Sequence, residues 1–328
     1  MKKSLIILLA MVLAMLVLCG CSEEPVVETQ PTDTESVILE TEAETEPTLP
    51  FPFTSEQFLK INGCLNYAPT AKCVGVKDDG QFLAVKDPDG QVEVMQGGCT
   101  DGEFFYFAIE GSNLKIGETI HSKAHKIFKV DGKTWETVAI SELLPLDHAN
   151  SMCYNGKLDM LLVANCNDVN TKDDLDNTKA VTFIDPDTLE IVDVKYLDFA
   201  INAIDYNETY DLYVIGIKGS SAAFAILDSN FQELAYCEGH NLGLAAQDVG
   251  CDDDYIFVSN SGVGTAMAGT EIVKVYDWDG EYQGVFRVGN VSENEAVFSW
   301  DGKYYITFFT NPGGRLYELA MDTSLLED

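Results

Sequence analysis

Five times between Gln96 and Phe309 the chain repeats one phrase, a short inner strand, a polar turn and a second apolar strand. The copies are QGGCTDGEFFYFAI from Gln96, NSMCYNGKLDMLLV from Asn150, NAIDYNETYDLYVI from Asn202, QDVGCDDDYIFVSN from Gln247 and AVFSWDGKYYITFF from Ala296. Their turn residues Asp101, Asn155, Asn207, Asp252 and Asp301 align without a gap, at spacings from the mid-forties to the mid-fifties. A repeat of this length is one supersecondary unit that cannot bury its own faces, so neighbouring copies must stack. Further β-branched runs lie between the copies: KAVTFID and LEIVDVKYL joined by Pro186-Asp187-Thr188, then AAFAILD and FQELAYC, then EIVKVYDWDG and YQGVFRV. Asp-Gly and Asn-Gly turns punctuate them, as at Asp79-Gly80, Asp131-Gly132 and Asp279-Gly280. No segment of this region has a long helical period, which excludes doubly wound and barrel α/β architectures.

Four strands per repeat at this spacing are the pattern of a β-propeller blade. The expected fold is all-β, with five four-stranded blades in a ring. The last repeat has only three strands, ending in GRLYELAM (Gly314 to Met321), so the outer strand must come from elsewhere. The N-terminal run QFLAVKD (Gln81 to Asp87) is the expected donor, closing the ring and removing exposed sheet edges. A six-bladed ring, with a degenerate blade within Cys64 to Met95, is the alternative.

The phrase DHANSMCYNGKLDMLLV, followed by IDPDTLEIV, resembles the blades of bacterial surface propellers of the YncE and gluconolactonase type. The similarity covers most of residues 95 to 321. It implies the fold; blades converge on this pattern whatever their function, so no activity follows from it.

The N-terminus supplies an address. Lys2 and Lys3 precede the apolar run Leu5 to Leu18, and that run closes with Leu18-Cys19-Gly20-Cys21. A charged start, an apolar middle and small residues at the end make a secretory signal, and the run is short of the ~20 residues a membrane span needs. Leu-x-Gly-Cys resembles the lipobox of bacterial lipoproteins, which implies cleavage before Cys21 and acylation of that residue. Residues 1–20 are then the signal, 21–50 a tether and 51–328 the propeller domain. The tether is Glu-, Thr- and Pro-rich, without aromatics, Lys or Arg. It cannot bury enough apolar surface to offset ordering entropy, and ~30 residues reach at most ~100 Å. The expected place is the exported side of the bacterial cell envelope. Two acyl chains suffice for stable anchoring, so the lipid anchor is the sole expected membrane contact.

A formal net charge of −34 repels nucleic acid and anionic lipid. It suits cationic partners, divalent ions or neutral sugars, or simply keeps an exported protein soluble. Beyond the signal lie Cys64, Cys73, Cys99, Cys153, Cys166, Cys237 and Cys251, an odd set with no CxxC. Several fall within apolar strands, where a free thiol behaves as a small hydrophobe.

Stepping back five residues from each turn residue gives Gln96, Asn150, Asn202, Gln247 and Ala296. Four of the five are amides at one equivalent position, at the start of the innermost strand, where they would face the central channel. His148, Asp248, Asn294 and Glu295 flank them. Amides offer donors and acceptors without charge. The ring of Gln96, His148, Asn150, Asn202 and Gln247 therefore either contacts a hydroxyl-rich or peptide-like ligand or simply holds the blades together. The gluconolactonase resemblance implies a further option, a divalent cation such as calcium held by Asn150, Asn202, Asp248 and Glu295. No Gly-x-Ser-x-Gly elbow occurs, and His148 has no serine partner identifiable in the sequence. The acidic stretch Asn167 to Asn177 lacks the Gly and Glu of an EF-hand loop. The Gly- and Ser-rich loop from Val258 to Glu271 reads as a flexible channel lip, and the aromatics of the second strands as packing between blades. The expected function is non-enzymatic binding of an extracellular ligand or partner protein at the channel mouth. The alternatives are a metal-dependent lactonase-like hydrolase and a structural interaction module of the envelope.

Overall fold

The turn residues show why the repeat folds as it does. Asp101 Oδ1 accepts the N–H groups of Glu103 and Phe104 at 2.8 and 2.7 Å, and Asp252 Oδ1 those of Asp254 and Tyr255 at 2.8 and 2.7 Å. Asn155 and Asn207 do the same for Leu158 and Tyr210. Each side chain bonds the backbone just ahead of it and so reverses the chain. The two strands it joins then pair antiparallel.

The computed structural model describes residues 70–74, 86–166, 177–263, 270–289, 293–309 and 314–320. Twenty strands form five four-stranded antiparallel sheets, a five-bladed β-propeller. Blade 1 holds β2 (Val94–Thr100), β3 (Phe104–Ile116), β4 (Thr119–Asp131) and β5 (Thr137–Ile140). Blade 2 holds β6 (Ser151–Asn155), β7 (Met160–Ala164), β8 (Ala180–Ile184) and β9 (Ile191–Tyr196). In blade 3 are β10 (Ile201–Asn207), β11 (Leu212–Ile217), β12 (Phe224–Asp228) and β13 (Glu233–Cys237). Blade 4 runs β14 (Ala245–Cys251), β15 (Tyr255–Ser261), β16 (Glu271–Asp277) and β17 (Tyr282–Gly289). Blade 5 has β18 (Asn294–Trp300), β19 (Lys303–Phe309) and β20 (Gly314–Ala320), with β1 (Thr70–Cys73) as its outer strand.

An N-terminal strand therefore does close the ring, but the donor differs from the expected one. β1 pairs with β20 in the register Thr70↔Ala320 to Cys73↔Tyr317. Of the expected donor, residues 81–85 lie outside the described residues, and Lys86 and Asp87 are not in a strand. Asp87 is committed to a turn instead. Its buried carboxylate accepts the N–H groups of Asp89, Gln91 and Val92 and pairs with Lys126 Nζ at 2.9 Å. The signal, Cys21 and the tether also fall outside the described residues, as do 167–176 and 264–269 of the two loops singled out above.

Each blade interface has its own apolar cluster. Five clusters fill the five junctions, including that between blades 5 and 1, where Phe105, Phe107 and Phe128 meet Phe298 and Tyr305. A single sheet could not bury both of its faces, whereas in the ring each sheet packs against a neighbour on either side. Among the described cysteines Cys99, Cys153, Cys166 and Cys251 are buried free thiols, and Cys237 is half-buried and free. Burial pushes the thiols of Cys99, Cys153 and Cys251 well above their ordinary pKa, with nearby carboxylates adding to the effect.

Candidate functional site

Each innermost strand runs from one end of the channel to the turn at the other, so residues five before the turn gather at the starting end. The ladder is interrupted there. Register shifts occur between Met95 and Gly98 in β2, Ile201 and Ala203 in β10, Ala246 and Val249 in β14, and Asn294 and Val297 in β18. The skipped residues include Gln96, Asn202, Gln247 and Glu295, and Asn150 stands just ahead of β6. Bulges re-aim side chains and recur beside functional sites. Here they turn three amides and Glu295 toward a common space, which Asn150 of blade 2 reaches without a bulge.

That space is a cavity of about 470 Å³. Gln96, His148, Asn150, Asn202 and Gln247 all line it, as does Glu295. Ala296, at the fifth ring position, is fully buried in the junction between blades 5 and 1. Asp248 does not line the cavity: its Oδ2 accepts the Val297 N–H at 2.8 Å, tying blade 4 to blade 5. Asn294 is likewise occupied, its amide nitrogen donating to Asn260 O at 2.9 Å and Glu271 Oε2 at 2.6 Å. Of the four residues proposed for a cation, three therefore share the mouth and the fourth is turned into the blade junction. Among the described residues no group of three or more His, Cys, Asp or Glu is arranged to hold a metal ion.

Other polar groups complete the mouth. On the long hairpin of β3 and β4, Glu110 and Lys123 reach His148 at its wall, and the buried His125 pairs with Glu110 in the ladder. Glu110 Oε2 lies 2.8 Å from His148 Nδ1 and 3.1 Å from Lys123 Nζ, and Lys123 also contacts His148. Burial would raise the Glu110 carboxyl, but the hydrogen bond from His148 and the neighbouring His148 and Lys123 hold it below its ordinary value. Fully buried, His125 is pushed down to about 3, chiefly by burial, and stays neutral. Glu295 is driven the other way. Burial, then the charges of Glu293, Glu110 and Glu271, raise its carboxyl well above the ordinary range. Gln247 ties the rim together, donating from Nε2 to Glu293 Oε1 at 2.5 Å, while its backbone oxygen accepts from Asn150 Nδ2. Lys218, Ser220 and Ser221, on the loop between β11 and β12, and Cys166 supply the remaining polar wall.

A larger cavity of about 630 Å³ opens at the turn end, lined by Glu208, Asp252, Asp253, Asp254 and Asp301 with Tyr206, Trp300 and Tyr304. Its most enclosed acid is already employed: Asp252 caps its own turn and accepts from Tyr304 OH at 2.8 Å. Turn formation accounts for that end; nothing comparable accounts for the buried oxygens of Gln96 and Asn202 at the mouth.

No family model matches the chain, and no curated protein does. Among solved structures it is similar to hydrazine synthase of Kuenenia stuttgartiensis, at 13% identity and a TM-score of 0.40, over 68% of this chain and 57% of that one. It is also similar to glutaminyl cyclase of Myxococcus xanthus, at 11% identity and a TM-score of 0.47, over 71% of this chain and 92% of that one. The chain thus spans little more than half the length of the hydrazine synthase chain. Neither likeness carries an activity to this protein.

Proposed function

We propose that this chain is a surface lipoprotein, anchored through Cys21, whose propeller binds a small polar ligand at the channel mouth without transforming it. One observation carries the reading. Four amides from four blades converge on a single cavity, and two of them, Gln96 and Asn202, hold a buried oxygen that has no hydrogen-bond partner among the described residues. Amides that only held blades together would be paired, because an unsatisfied buried polar group costs roughly 1–3 kcal/mol. A volume of about 470 Å³ falls in the usual range of small-molecule sites.

The test is a thermal-shift screen of the full chain in detergent against neutral sugars, free amino acids, short peptides and calcium chloride. A ligand at a hundredfold its Kd stabilises the native state by ~2.7 kcal/mol. One class is expected to raise the melting temperature, and the double substitution Asn150→Ala, Asn202→Ala to abolish the rise. A rise that survives the double substitution places binding elsewhere. The calcium arm addresses the alternative, a metal-dependent hydrolase at the same mouth.

A further inference from the structure

The unpaired groups of the mouth sit on walls of opposite charge. Gln96 Oε1 and Asn202 Oδ1 are acceptors on side chains only 5% and 6% exposed, and neither has a partner among the described residues. Ser221 Oγ, on the β11–β12 loop, is buried and equally unpaired. All three residues line the cavity. Glu293 and Glu295 enter it from the start of blade 5, beside blade 1 and its Gln96. Lys218 and Ser221 enter from blade 3, two positions away around a ring of five, and so face the carboxylates across the mouth.

We infer that the mouth takes a zwitterion, an α-amino acid or a short peptide with free ends, its ammonium held by Glu295, Glu293 and the Gln96 oxygen and its carboxylate by Lys218 and the Ser221 hydroxyl. The inference rests on the reading of the mouth as a ligand site. An ammonium carries three donors and no acceptor, and a carboxylate only acceptors. The first fits the Glu293 carboxylate, an unpaired carbonyl oxygen and Glu295, which gives up its proton to solvent once the arriving ammonium offsets its acidic neighbours; the second fits a wall with a lysine and an unpaired hydroxyl. Both contacts are charge-assisted, the stronger kind of hydrogen bond. In ring order the Asn150 amide of blade 2 lies between the walls, while the unpaired Asn202 oxygen belongs to blade 3, on the Lys218 side, and can accept a peptide N–H next to the carboxylate. Lys218 Nζ now donates to Cys166 Sγ at 3.2 Å. Sulfur is a weak acceptor that a carboxylate outcompetes. A polyol would leave the opposed charges without purpose, and a simple amine would leave Lys218 against a cation.

Calorimetry and thermal shift on the full chain test this with four probes: glycylglycine, N-acetylglycylglycine, glycylglycinamide and sorbitol. Saturable binding of glycylglycine is expected, lost when either end is capped. Lys218→Met and Glu295→Gln are each expected to weaken it tenfold or more, and Ser221→Ala severalfold. Equal binding of a capped peptide, or of sorbitol, would overturn the zwitterion while leaving a ligand site at the mouth. Silence from glycylglycine and every free amino acid overturns it as well; the wider reading falls only if the whole screen is silent. Should a substituted chain fail to fold, the capped peptides on the unaltered chain decide.

Discussion

Asp205 offers a quantitative test of how dry the channel interior is. It lies on β10 below the mouth, where its Oδ2 accepts the Cys251 N–H at 2.6 Å. Burial raises its carboxyl from 3.8 to about 7, against the opposing pull of the backbone hydrogen bonds from Tyr206 and Cys251. Between those values the folded chain keeps a proton that the unfolded chain has released, so stability falls as pH rises. The slope is ~1.4 kcal/mol per pH unit, or ~4 kcal/mol over the whole window. That sum is an upper limit, because Asp205 borders a small cavity of about 60 Å³ shared with Cys99 and Cys251. Asp205→Asn keeps an oxygen for the Cys251 N–H and removes the titration. Urea unfolding of both proteins at half-unit steps from pH 4 to pH 8 gives two stability curves. The variant is expected to gain on the parent steadily up to about pH 7, by as much as ~4 kcal/mol, and no further above it. Curves that run parallel to within about 0.5 kcal/mol would refute the claim that this carboxyl is enclosed.

Phe107→Ala empties a fully buried site in the junction of blades 5 and 1, and urea unfolding should show a loss of ~3–5 kcal/mol. Ile120→Ala, at a position 69% exposed near the tip of the β3–β4 hairpin, should stay within about 0.5 kcal/mol of the parent. At Gly97 an added Cβ would lie 2.9 Å from the Ser151 carbonyl carbon, backbone against backbone. Gly97→Ala should therefore force blades 1 and 2 apart and lower the midpoint of urea unfolding, by ~1–3 kcal/mol in stability. The thiols of Cys99, Cys153 and Cys251 should react with a disulfide reagent only at the rate of unfolding, which stopped-flow absorbance would show.

The ring was legible because its signal is local and repeated. A turn residue that bonds the backbone ahead of it is best an Asp or Asn, and in four of the five copies it recurs in register with an amide five residues earlier. The closing strand was not legible. QFLAV looks more like a strand than TAKC does, yet TAKC is what pairs with β20, a choice made by a partner more than two hundred residues away. The same division holds at the mouth. Gln96, Asn150, Asn202 and Gln247 followed from alignment of the repeats. Glu110 and Lys123 come from a hairpin longer than its counterparts, and Lys218, Ser221 and Cys166 from loops or strand ends, outside the aligned phrase. Asp248 shows the limit of counting: one residue beyond Gln247, it crosses the bulge and serves the blade junction.

The β1–β20 pairing ties the order of synthesis to the order of folding. The strand made first among the twenty is the one used last. Thr70–Cys73 must wait until Gly314–Ala320 has emerged, a delay on the order of tens of seconds at roughly 5–20 residues per second. Until then the chain is an open arc whose two unsatisfied ends are sheet edges and bare apolar faces. A protein built this way completes itself only after nearly the whole of it has been made. A chain cut short within its last forty residues should accordingly lose the cooperative unfolding of the ring as a whole, rather than one blade's share of its stability.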